Sequence, residues 1–293
     1  MLTIALLAAL VPAAHARAAE ELPELSERHS AISYDALFRI SGSHQLYAEA
    51  SACAVVPAVV IGGDSPCPEA SPAESEVHLG ARMMPARSGG SLTVAPIPAW
   101  LTDSQAHSEA DCGRASSSVL NTAGVAYSLT GMPGGLTASG SISGRHQAAL
   151  RTYREEEVWD PFCLPGASGL SDHMTSGHVT MTAPFILEQN ALVELVTTLM
   201  VTSAPLDGDN TMEVTVSVAG LTCVLEGDAA VLPGGDDMFC AEVAELSAGA
   251  HTLQVTVTHG SGLSASVGPN EADFVASTVL NNFTAALAVI ETY

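Results

Sequence analysis

Apolar and polar residues alternate through most of the second half of the chain. Met212, Val214, Val216 and Val218 fall on one side of a run whose other side is Glu213, Thr215 and Ser217. The same period of two recurs at 119–129, in LTASGSISGRHQAAL at 136–150, in Leu253, Val255 and Val257, and in Phe283, Ala285, Leu287 and Val289. Successive side chains of a strand point to opposite faces, so this pattern predicts strands with one face on a core and one in water. Clusters of Gly, Pro, Asp and Asn separate the runs. The expected fold is all-β: an antiparallel two-sheet β-sandwich of jelly-roll or immunoglobulin-like style, with a loop-rich N-terminal part.

Two segments, 183–187 and 191–201, are apolar on both sides. Leu192, Leu195, Val196 and Leu199 also fit helical spacing, but the Val and Thr content of 191–201 favours a central strand. One other helical alternative lies around Leu22, Leu25 and 34–38. From 57 to 98 Pro and Gly recur, which predicts long loops interrupting a few strands, such as 44–56 and 91–97. Too few large apolar residues occur there for an independent core. The expected organisation is a signal peptide over 1–16, a loop-rich segment contributing strands over 17–110, and the main sandwich over 111–293, packed as one body with that segment.

The stretch SAGAHTLQVTVTHGSG, 247–262, places His251 and His259 on one face of a strand. Eight residues at about 3.3 Å each separate them by roughly 26 Å, too far to share a metal or an active site. Each imidazole is expected near a strand end, in reach of water.

Composition adds a compartment. An apolar run, Leu2 to Val11, precedes Ala14-His15-Ala16, a small-x-small cleavage pattern that predicts export to the periplasm, cell surface or medium. The run is too short to span a bilayer, so no membrane span is expected in the mature chain. The six cysteines, Cys53, Cys67, Cys112, Cys163, Cys223 and Cys240, all follow it, and an even count in an exported chain reads as disulfides. Pairing between sequence neighbours is the working assignment: 53 with 67, 112 with 163, 223 with 240. The turn cluster Pro233-Gly234-Gly235-Asp236 would bring the last pair together.

The charge is lopsided. Thirty-two acidic residues face nine basic ones, all of them Arg, for a formal net charge of −23. Such a chain has no electrostatic footprint for nucleic acid and is repelled by anionic lipid, but attracts cations. Only 13 aromatics (two Trp, five Tyr, six Phe) are available as sugar-stacking platforms.

Three clusters carry candidate chemistry. Tyr153–Cys163, YREEEVWDPFC, offers Glu155, Glu157 and Asp160 with Trp159 as a ligand-binding set, or as paired carboxylates for acid–base sugar chemistry; a solvated loop explains the same residues. Asp207-Gly208-Asp209-Asn210 offers Asp207, Asp209 and Asn210 as oxygen ligands for calcium, the one candidate cofactor. The same residues are favoured in hairpin turns. Asp172-His173 and His178 stand five residues and six residues apart along a segment read as a loop feeding the next strand. No set of residues is assigned as catalytic.

The last 110 residues carry, in order, Thr182-Ala-Pro-Phe185, a Leu/Val/Thr-rich strand, Leu246-Ser-Ala-Gly-Ala-His-Thr-Leu253 and a closing Phe283-Thr-Ala-Ala-Leu287. This succession resembles the extracellular β-sandwich proteins of bacteria associated with PEP-CTERM sorting tails. The resemblance implies an exported β-sandwich. The sequence ends at Ile290-Glu291-Thr292-Tyr293 without a Pro-Glu-Pro motif, so sorting by that route is not expected. The expected role is structural, adhesive or matrix-associated, with an extracellular glycan or protein as partner. A calcium- or glycan-binding module and a secreted polysaccharide-acting enzyme are the alternatives.

Overall fold

The computed structural model describes residues 31–54, 71–110, 113–155, 165–175, 177–204, 209–228 and 236–293. Among them are fourteen strands and no helix. In chain order these are β1 (Ile32–Ser33), β2 (Phe38–Cys53), β3 (Ser71–Met83), β4 (Gly90–Ala110), β5 (Gly113–Met132), β6 (Gly135–Arg154), β7 (Gly166–Thr175), β8 (Val179–Leu187), β9 (Ala191–Ala204), β10 (Asp209–Val218), β11 (Leu221–Asp228), β12 (Asp236–Leu246), β13 (Gly249–Val267) and β14 (Ala272–Thr292). They form two antiparallel sheets packed face to face, the β-sandwich that the alternation predicts.

The eight-stranded sheet runs β3-β2-β7-β13-β10-β11, with β8 continuing the lane of β7 between β2 and β13, and β1 on β8. The six-stranded sheet runs β12-β9-β14-β6-β5-β4. The sheets lie strand over strand: β2 over β4 and β5, β7 over β5 and β6, β13 over β6 and β14, β11 over β9 and β12. Strands β4 and β14 are each 21 residues long, and β5 and β6 are each 20. At about 3.3 Å per residue this makes a body about 65 Å long.

Among the described residues the N-terminal third is more regular than its Pro and Gly content predicts. Strand β3, SPAESEVHLGARM, pairs only with β2, so it lies at a sheet edge, where Pro72 can be accommodated because one side of the strand needs no ladder bonds. Strand β4 keeps its pairing with β5 by shifting register at Ile97, between Val94 and Trp100, through the Pro96–Pro98 stretch. Segment 191–201 is strand, as its β-branched content predicts, and 34–38 is not helical.

The core is graded along the long axis. At one end Phe38, Ile40, Leu129, Phe185, Leu195 and Leu253 belong to a large aliphatic and aromatic cluster. At the other, Ala48, Ala50, Val119 and Ala148 form a small one. There the sheets come close enough that a Cβ on Gly169 would stand 2.6 Å from Val119 Cγ2.

A disulfide joins Cys223 of β11 to Cys240 of β12. These strands are the facing edges of the two sheets, so the bond clips one side of the sandwich shut. Cys53 is also disulfide-bonded; Cys67, Cys112 and Cys163 lie outside the described residues. Replacing both Cys223 and Cys240 by Ala is expected to lower unfolding free energy by about 3 kcal/mol, read from urea denaturation, because it restores the loop-closure entropy of the unfolded chain.

Candidate functional site

Between the two apolar clusters the interior turns polar. At this height the inward positions are His44 on β2, Ser171 and His173 on β7, and His259 and Ser261 on β13, facing Asn121 on β5, His146 on β6 and Asn281 on β14. All eight are buried, His259 and Ser261 at 5% exposure and the other six at 0%, with Tyr127 buried just above them. Each residue occupies the inward phase of its own strand. Asn281 has the parity of Phe283 and Leu287, His146 that of Ile142 and Ala148, and His259 that of Val255 and Val257.

Two hydrogen-bond chains thread the layer. In the first, His259 Nδ1 lies 3.1 Å from the Thr211 carbonyl, which can only accept, and 3.1 Å from Asn281 Nδ2, which can only donate, so the His259 tautomer sets the direction of the chain. From there His259 Nε2 stands 3.3 Å from Ser261 Oγ, Ser261 Oγ 3.0 Å from His146 Nε2, and His146 Nδ1 2.8 Å from Ser171 Oγ. In the second, Tyr127 Oη stands 2.9 Å from His44 Nε2, and His44 Nδ1 stands 3.1 Å from His173 Nε2. With the phenol as donor the chain runs Tyr127 to His44 to His173, and ends at His173 Nδ1. That atom is buried with no hydrogen-bond partner among the described residues, as are Asn121 Oδ1 and Trp100 Nε1. The rings of His173 and His259 meet edge to face, centroids 4.7 Å apart, which brings the two chains together.

Amides tie the same layer across the gap. Asn121 Nδ2 donates to the carbonyls of Tyr47 on β2 and Asp172 on β7. Asn210 of β10 and Asn281 of β14 exchange reciprocal bonds at 2.9 and 2.8 Å, and Asn281 Oδ1 also accepts from the Thr202 amide. Tyr127 keeps its place because Gly140 has no Cβ to collide with its ring.

Burial sets the charge state. Desolvation lowers the pKa of His44 and His146 to about 4 and of His259 to about 3, and pushes that of His173 well below its ordinary value, with the neighbouring imidazoles adding to it. The four rings are therefore neutral at pH 7. The layer can pass hydrogen-bond polarity from one sheet to the other, and its side chains are almost wholly enclosed. Its chemistry is internal.

The positions singled out in the sequence fall elsewhere. Glu155 is exposed just beyond β6; Glu157, Trp159 and Asp160 lie outside the described residues, as does Asp207. Asp209 and Asn210 part company, because neighbours on a strand face opposite ways: Asp209 is exposed on the outer face, and Asn210 is buried in the amide pair with Asn281. The proposed calcium set therefore loses Asn210. On the outer face Asp209 and Asp172 flank Gly262 in register, and Asp172 has a raised pKa from burial and from the Asp209 charge. Among the described residues no group of three or more His, Cys, Asp or Glu side chains is arranged to hold a metal ion. Asp172 and His173 sit within β7, not in a loop, and His173 faces the core. His251 is partly exposed, but His259 is not at a strand end: β13 continues to Val267, which places His259 in the middle of the sandwich.

No protein-family model matches the chain, and no curated protein matches it. A solved structure of infectious bursal disease virus, Gx strain, aligns at 10% identity over 88% of this chain and 65% of that one, with a TM-score of 0.17. Among the described residues no helix is long and apolar enough to cross a membrane.

The depressed histidine pKa values give a signed expectation. The unfolded chain takes up protons on these rings near pH 6.5 and the folded one does not until about pH 4 or below, so stability is full above 6.5 and is lost as pH falls. For His44 or His146 alone this amounts to about 3 kcal/mol by pH 4. Asp172 acts in the opposite sense. Urea unfolding between pH 7.5 and 4 should show the loss, and a His146→Gln variant should show a shallower one. A second expectation concerns the amide pair: Asn281→Ala strands Asn210 and the Thr202 amide, and should cost about 3 kcal/mol in the same assay at pH 7.5.

Proposed function

We propose that the protein is an exported, non-enzymatic β-sandwich with a structural, adhesive or extracellular-matrix role. The observation that carries this reading is the use made of its chemically versatile side chains. Imidazoles, carboxamides and a phenol that would serve a ligand or a substrate elsewhere are spent inside, cross-linking two sheets at mid-height. A long, clipped, internally bonded body suits a load-bearing or spacing part. The Cys223–Cys240 bond fits an oxidising compartment, and the strongly acidic composition suits an exterior surface facing cations and neutral glycans or proteins.

Calcium binding is the second reading, favoured by one observation: Asp172 and Asp209 approach over a glycine that leaves room between them. Asp172 stands where the sequence pattern put Asn210. The two readings separate in one experiment. Melting temperature is followed as calcium is titrated to millimolar levels, with Asp172→Asn and Asp209→Asn as controls. The structural reading expects no rise beyond that given by magnesium; a saturable calcium-specific rise, lost in either variant, would replace it with the calcium-binding one. Turnover of a polysaccharide panel, lost in Glu157→Gln, would instead establish an enzyme and overturn both.

A further inference from the structure

Four buried polar side-chain atoms have no hydrogen-bond partner among the described residues. Thr197 Oγ1 lies apart on β9; the other three, His173 Nδ1, Asn121 Oδ1 and Trp100 Nε1, belong to neighbouring positions. Trp100 of β4, Ala123 of β5, Gly144 of β6 and Val279 of β14 stand side by side in one row of the six-stranded sheet. Asn121 takes the next inward position of β5. His173 faces the row from β7, its ring edge to face with that of Trp100 at a centroid distance of 5.8 Å. Ala123 and Gly144 carry the least bulk in the row, which leaves a dip opposite His173. A Cβ placed on Gly144 would stand 3.6 Å from His173 Nδ1, 3.4 Å from the Thr122 carbonyl oxygen and 3.9 Å from Val279 Cβ. These are ordinary contact distances, so the dip has room for a group the size of a methyl or a water.

We infer that this dip is a binding site for a single water molecule, held on His173 Nδ1. The kind of ligand follows from the unpaired atoms. The indole N–H of Trp100 can only donate and the Asn121 oxygen can only accept, while His173 Nδ1 donates when Tyr127 donates to His44. A cation cannot accept from the indole, and an anion cannot donate to the amide oxygen. Either ion would also bring an uncompensated charge into a layer of neutral groups. An apolar group would leave all three atoms unpaired. Water matches the whole set. It accepts from Trp100 and His173 and donates to Asn121, and the Thr122 carbonyl lies on the same dip to take its second hydrogen. Buried waters make about two to four such bonds to groups that the protein itself leaves unpaired. Bound there, the water extends the second hydrogen-bond chain: it leaves β5 at Tyr127, crosses to His44 and His173, and returns to β5 at Asn121.

A high-resolution crystal structure of the full chain should show an ordered solvent oxygen about 2.7–3.2 Å from His173 Nδ1. Magnetic relaxation dispersion of the solvent should count one fewer long-lived internal water in Gly144→Ala than in the unsubstituted protein. The same substitution gives a signed reading of stability. Gly144 has no positive φ and its surroundings accept a Cβ without a clash, so in a dry dip the added methyl would fill space and raise the urea midpoint. Where it displaces a bound water it strands the polar atoms of His173, Asn121 and Trp100, and the midpoint falls. A fall is expected. A crystal structure with no solvent at His173 Nδ1, a dispersion amplitude that Gly144→Ala leaves unchanged, or a midpoint that rises would each overturn the inference. The crystal structure of the unsubstituted chain decides the matter even if Gly144→Ala fails to fold by circular dichroism.

Discussion

A polar group in the dry gap between two sheets must find its partner across that gap, and much of this molecule is arranged around that requirement. Four neutral imidazoles, three carboxamides and a phenol share one layer. Leaving one such group unpaired costs on the order of 1–3 kcal/mol, so the layer has few alternative arrangements and penalises a slip of either sheet. A purely apolar sandwich of similar strands tolerates sliding far better. Here one chain of four side chains runs from His259 through Ser261 and His146 to Ser171, and the Asn210–Asn281 exchange holds β10 opposite β14.

The packing on either side follows from the layer. Above it, large aliphatic and aromatic residues fill a normally spaced core; below it, Ala and Ser let the sheets draw together. In that narrow end serine hydroxyls continue the cross-sheet bonding: Ser104 and Ser108 accept from the amides of Ala50 and Ala54, and Ser117 donates to the Ser168 carbonyl. The Cys223–Cys240 bond adds a covalent clip at the edge where β11 faces β12. Inside, the molecule is held by directed bonds as much as by apolar burial.

The sandwich and most of its strands were legible because alternation is a local property: each run of period two reports its own inward face. The same pattern already held the histidine layer. His146, His259, Asn121 and Asn281 all stand on the apolar phase of their strands, and a polar residue in that phase marks a buried polar position. Reading His259 as the end of a strand missed it, because the strand runs longer than its uninterrupted apolar pattern; β13 passes straight through His259-Gly260 to Val267. The Asp209–Asn210 pair was misjudged for the opposite reason. Adjacent residues look like one ligand set in sequence, but a strand sends them to opposite faces.

By itself the sequence determined the all-β class, the inward face of most strands, the net charge of −23 and the proximity of Cys223 to Cys240. These depend on residues near one another along the chain. Only the tertiary structure decided that His44, His146, His173 and His259, drawn from four strands and two sheets, lie at one height. It alone brought Asp172 beside Asp209, across Gly262. Strand order and register set those neighbours, and they are fixed by pairings over a hundred residues or more, to which local alternation is blind.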